Sequence, residues 1–150
     1  MSAADTGPVL FAYDGSELAS LAIEEAGRQL GSGREAIVLT VWQPFNVGFL
    51  PVRDLGIDAA ASEEVQKAAE ETAAAGASLA ERAGFRAQRA AIEAAPTWKG
   101  ICDLADQREA SLIVLGSHGR HGFPGMLVGS VAGAVAAHSR RSVLIVHRRN

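Results

Sequence analysis

One cysteine, Cys102, stands in the whole 150-residue sequence, so no disulfide can form within the chain, and a secreted disulfide scaffold is excluded. Cys102 itself reads as a small buried hydrophobe. There is no excess of positive charge either. Fourteen Lys and Arg against 17 Asp and Glu leave a net charge of −3, which offers no electrostatic footprint for nucleic acid. The start, Met1 to Gly7, lacks the basic cluster and apolar core of a signal peptide, and Asp5 interrupts it; residues 1–7 are expected to be a frayed, flexible tail. From His121 to Ser139 no Lys, Arg, Asp or Glu occurs. That stretch could suggest a membrane span, but Pro124, the recurring glycines and two histidines argue against one. A soluble, cytoplasmic protein is expected.

Several catalytic signatures are missing as well. Gly31-Ser-Gly-Arg-Glu35 lacks the Gly-Lys-Ser/Thr ending of a Walker-A loop and precedes a strand rather than a helix. The only lysines are Lys67 and Lys99. Asp14-Gly-Ser-Glu17, after the first apolar run, is not a dinucleotide fingerprint. His118 and His121 lie three apart without neighbouring Cys, Asp or Glu to complete a metal set, so they read as neutral loop histidines.

What is there fits one domain over residues 8–150, a length able to bury roughly two-thirds of its unfolded surface. Short apolar runs at 9–13, 36–42, 112–115 and 142–146 have the character of strands, and a looser run at 85–94, with arginines, suits a sheet edge. Between them, helical spacing is expected over 16–30, over 59–83 (with Val65, Ala69, Thr72, Gly76, Leu79 and Ala83 on one face), over 96–109 and over 130–139. Residues 44–57, with two prolines and two glycines, follow neither period and form a variable loop. Strands alternating with helices imply right-handed crossovers, hence a three-layer α/β fold with a parallel sheet. Such sheets bind ligands at the carboxyl ends of their strands.

One segment has the composition for that task. Gly116-Ser-His-Gly119-Arg-His-Gly122-Phe-Pro-Gly125-Met-Leu-Val-Gly129-Ser130 begins where the fourth strand ends and finishes where a helix begins. Gly116 and Gly119 have no Cβ, so the backbone can approach a ligand and aim its amides at phosphate oxygens. Gly129 and Ser130 open a helix whose free amides and positive dipole end favour an anion, with the Ser130 hydroxyl as a further donor. Glycines alone would shape a long loop just as well.

The full spacing carries more: a glycine, two residues, a glycine, nine residues, then glycine and serine. This resembles the ATP-binding signature of the universal stress protein family, matched at Gly116, Gly119, Gly129 and Ser130. Val9-Leu-Phe-Ala-Tyr-Asp-Gly-Ser16 looks like the family's opening strand, Leu112-Ile-Val-Leu-Gly-Ser-His-Gly119 its fourth and Ser142-Val-Leu-Ile-Val146 its last. Ser111 and Ser142 stand where an aspartate and a proline are common, and Ala12 where glycine or valine is frequent; none of these blocks the loop.

The resemblance implies a five-stranded parallel sheet in the order 3-2-1-4-5, the adenine nucleotide alpha hydrolase-like arrangement, and a homodimer paired through strand 142–146. It implies nucleotide contacts at Ala12 and Asp14 near the adenosine, at Val41 beside the adenine, and at Gly116, Ser117, Gly119, Arg120, Gly129, Ser130 and Val131 for the phosphates. Mg²⁺ would arrive with the ATP. Each assignment has a plainer alternative in the residues themselves. Asp14 before Gly-Ser suits a helix N-cap, Val41 suits ordinary strand burial, and Arg120 suits either a bidentate phosphate contact or solvent. His138, Arg140, Arg141, Arg148 and Arg149 could draw an acidic partner or be solvated surface.

Three functions follow from this reading. The expected one is a stress-response sensor or regulatory module that binds ATP or a related adenine nucleotide, without a catalytic role. A slow ATP-hydrolysing enzyme would need a positioned base and a stable Mg²⁺ site, for which the sequence offers little. A nucleotide-free interaction protein of the same fold is countered by the intact glycine spacing.

Overall fold

The structure, a computed structural model, describes residues 7–44, 59–119 and 128–149. Its elements alternate: β1 (Val9–Ala12), α1 (Glu17–Leu30), β2 (Glu35–Trp42), α2 (Ala59–Arg82), β3 (Arg86–Glu93), α3 (Thr97–Gln107), β4 (Leu112–Gly116), α4 (Ser130–His138) and β5 (Ser142–Val146). The five strands form one parallel sheet in the order β3-β2-β1-β4-β5, as the resemblance implies. The loop expected at 44–57, apart from Pro44, and the tail before Gly7 lie outside the described residues.

Period-two alternation decides which side chains meet which layer. Val9, Phe11 and Tyr13 of β1 join Val38 of β2 and Val114 of β4 in one core, closed by Ala19, Ala22, Ile23 and Ala26 of α1 and by Ala80 of α2. Leu10, Ile37, Leu39, Ile113 and Leu115 point the other way, against Ile101, Cys102 and Ala105 of α3 and Ala132 and Val135 of α4. Cys102 is buried, as expected, and burial, reinforced by Asp106 and Asp103, pushes its thiol pKa up.

Several element ends differ from the sequence expectation by one or two residues, and so does one helix face. The N-cap of α1 is Ser16, whose hydroxyl accepts the Ala19 N–H at 3.2 Å, so capping is not the task of Asp14. Helix α3 stops at Gln107 rather than 109; Pro96 precedes it as its cap residue rather than opening its first turn. In α2 the buried line runs through Ala69, Ala73, Gly76 and Ala80, with Val65, Thr72, Leu79 and Ala83 flanking it. The smaller residues turn inward because the helix lies close on the sheet: a Cβ on Gly76 would sit 2.6 Å from Tyr13 and 2.7 Å from Val38.

Candidate functional site

Strand β1 runs out first. Its neighbour β2 continues to Trp42, while the chain after β1 turns at Asp14-Gly15, with Gly15 at φ +81°. The carboxyl ends of β1 and β4 lie side by side at the point where crossovers leave the sheet in opposite directions, so a crevice opens there.

Backbone parity gives Val41 a specific place beside that crevice. The Trp42 carbonyl accepts from Ala94 N–H, and the Arg34 carbonyl from Arg86 N–H, so even-numbered residues of β2 bond toward β3. The Leu39 carbonyl instead accepts from Tyr13 N–H at 2.8 Å. Val41, two residues on, therefore turns its N–H and C=O to the β1 side, beyond the last residue of β1. Its side chain packs on the α3 face, within the second core. Ala12, half-buried, lies on that same face.

Asp14 is fixed rather than swinging in solvent. Its Oδ1 accepts the Ser16 N–H at 2.9 Å, and a Cβ placed on Gly119 would lie 2.6 Å from Oδ2. The carboxylate thus rests against the Cα of Gly119, joining the turn after β1 to the loop after β4. Only glycine permits that approach. Gly116 is held just as closely from the other layer, where a Cβ would meet Leu18 Cγ at 2.9 Å.

The end of β4 also carries α4. Ser117 N–H donates to the Val146 carbonyl at 2.9 Å, extending the β4–β5 ladder, and the Ser117 carbonyl accepts Gly129 N–H at 2.6 Å. Gly129, the N-cap of α4, supplies no capping side chain. The first i→i−4 bond of the helix is Gly133 N–H to the Gly129 carbonyl. The amides of Ser130, Val131 and Ala132 are therefore first-turn donors with no partner inside the helix. They form the positive end of a helix dipole next to Ser117.

Asp14, Gly116, Ser117, Gly119, Gly129, Ser130 and Val131 thus gather at the ends of β1 and β4. Val41 and Ala12 border the crevice, and Arg120 lies outside the described residues. Ser117 is only 2% exposed, with its amide and carbonyl both taken by the scaffold. Two further residues contribute: Thr40, which the sequence does not single out, and His118, which it reads as a neutral loop histidine. Thr40 Oγ1 donates to the Tyr13 carbonyl at 2.8 Å, fastening β2 to the turn after β1. His118 packs beneath Gly129, and its place inside the glycine frame was the available signal. Among the described residues no group of His, Cys, Asp or Glu is arranged to hold a metal ion, and no helix is long and apolar enough to cross a membrane.

Comparison with known proteins agrees with this fold. The sequence model of the universal stress protein family matches residues 6–147. The universal stress protein Rv2005c of Mycobacterium tuberculosis (strain ATCC 25618 / H37Rv) is 36% identical over 154 aligned positions, covering 95% of this chain and 46% of that protein. The chain therefore spans just under half the length of this relative. A universal stress protein solved in complex with cAMP is 27% identical, with a TM-score of 0.61 over 95% of this chain and 98% of that one. UspA from Lactobacillus plantarum shares the fold, with a TM-score of 0.72 at 20% identity, over 94% and 97% of the two chains.

Proposed function

The chain belongs to the universal stress protein family, and from that premise we propose that it binds ATP, or a closely related adenine nucleotide, in the crevice between β1 and β4. The supporting observation is the N-terminus of α4, which among the described residues has no side-chain cap and which Gly129 ties to the end of β4 where Gly119 meets the Asp14 carboxylate. First-turn amides have no acceptor within their own helix, and a phosphate oxygen is a strong one. The adenosine end would lie toward Asp14 and Ala12, with the adenine edge against the outward N–H and C=O of Val41. Gly116, Ser117, Gly119, Arg120, Gly129, Ser130 and Val131 would surround the phosphates. Mg²⁺ would enter on the nucleotide, its ligands supplied mainly by phosphate and water. The cAMP complex of a relative supports the adenine-nucleotide class.

In this reading the protein is a stress-response regulatory module of the cytoplasm, not a dedicated enzyme. The whole cycle would consist of binding and release, with chain pairing along the edge strand β5 producing a homodimer. Purified protein is expected to carry or take up one adenine nucleotide per chain, and sedimentation is expected to show a dimer. Gly119→Glu is expected to abolish binding by driving a carboxylate into Asp14. Unchanged affinity in that variant would discard the site, and turnover approaching about 1 s⁻¹, within the usual enzyme range, would discard the regulatory role.

A further inference from the structure

Among the described residues, His118 Nε2 is a buried side-chain atom with no hydrogen-bonding partner, and it lies within the nucleotide site proposed above, on which this inference rests. Native folds seldom leave such a group unpaired without a reason. The other ring nitrogen is engaged: Nδ1 stands 3.2 Å from the hydroxyl of the buried Ser117. Either the Ser117 hydroxyl donates to Nδ1 or Nδ1–H donates to Oγ; in both cases one hydrogen bond holds the ring, and Nε2 is the ring atom left without a partner.

The ring also has a mechanical position. A Cβ on Gly129 would lie 3.5 Å from His118 Cδ2 and from His118 Cα, and 3.0 Å from the Ser117 carbonyl oxygen that accepts Gly129 N–H. His118 is thus packed where the end of β4 meets the start of α4. We propose that His118 is a positioning residue of the nucleotide site: the Ser117 hydroxyl holds its ring, and the ring sets the spacing between β4 and the α4 amides that receive phosphate.

Titration of the full-length protein with ATP and with adenosine tests the proposal in the wild type, His118→Ala and His118→Asn, since asparagine keeps a polar atom near the place of Nδ1. His118→Ala is expected to weaken ATP about tenfold, the equivalent of one hydrogen bond, and to leave adenosine unchanged; His118→Asn is expected to recover most of the loss. Equal weakening of both ligands, or wild-type ATP affinity in His118→Ala, overturns the role of His118 while the nucleotide site stands. A wild-type protein that binds neither ligand overturns the site and this role together. Should His118→Ala fail to fold, the imidazole Cδ2–H signal of His118 in the wild-type protein decides: a saturable shift with ATP and none with adenosine supports the proposal, and equal shifts with both, or none with ATP, overturn it.

Discussion

Replacing Gly119 with alanine probes the site through a single methyl group. The new Cβ would stand 2.6 Å from Asp14 Oδ2, where ordinary contact begins at 3.4 Å, so the two must separate by about 0.8 Å. Asp14 resists, because Oδ1 accepts the Ser16 N–H at 2.9 Å and Ser16 in turn caps α1. Moving the carboxylate costs either part of a charge-assisted hydrogen bond, worth about 1.5–3 kcal/mol, or an off-rotamer side chain at about 0.5–1.5 kcal/mol. The cheaper route governs, so the fold should lose about 1 kcal/mol or less, a fall of roughly 2–4 °C in Tm for a domain this size. Nucleotide affinity should suffer more. Whichever side yields, the Asp14 carboxylate no longer rests against the loop after β4, and an adenosine contact and a phosphate contact can no longer be made together. A loss of about tenfold or more in ATP affinity by isothermal titration is expected, corresponding to about 1.4 kcal/mol. Gly27→Ala is the control: its Cβ would lie 2.7 Å from the Ala83 backbone oxygen, between α1 and the end of α2, far along the chain from the crevice. It should lower Tm and leave affinity alone. A folded Gly119→Ala protein with wild-type ATP affinity would refute the reasoning.

Gly76→Ala should destabilise the fold by about 1–3 kcal/mol, the usual cost of overpacking, since its Cβ would press on Tyr13 and Val38; chemical denaturation measures this, and a neutral result would mean α2 packs less closely than described. Cys102 should react slowly with a thiol reagent at neutral pH and quickly once the protein is unfolded. Burial, then Asp106 and Asp103, raise its pKa and keep it a thiol, and the thiolate is the reactive form; equal rates before and after unfolding would contradict its burial.

Much of the architecture was legible because it rests on local period. Ser142–Val146 matches its expected strand, and the strand-to-helix alternation dictates crossovers of one hand. Strand order and the site's membership came from the glycine frame and its resemblance. What escaped the sequence depended on distances across the sheet. The choice between Asp14 and Ser16 as helix cap turns on which hydroxyl or carboxylate reaches the Ala19 amide. The expected face of α2 holds Ala69 and Gly76, which are buried, but its Val65 and Leu79 only flank the line, because periodicity weighs apolar size whereas close packing on Tyr13 turns the smaller Ala73 and Ala80 inward. Nothing in the linear sequence brings Gly119 to Asp14, 105 positions apart in number, or shows that Ser117 ties down His118.

The central claim is that an adenine nucleotide occupies the crevice between β1 and β4, with its phosphates on the α4 amides. The most direct measurement is an amide ¹H–¹⁵N titration of the wild-type protein with ATP. Saturable shifts concentrated at Asp14, Val41, Gly116, Gly119, Gly129, Ser130 and Val131 are expected, with Gly31, Gly33 and Gly84 at the opposite end of the sheet unmoved. No saturable shift, or shifts centred on those distant glycines, would contradict it.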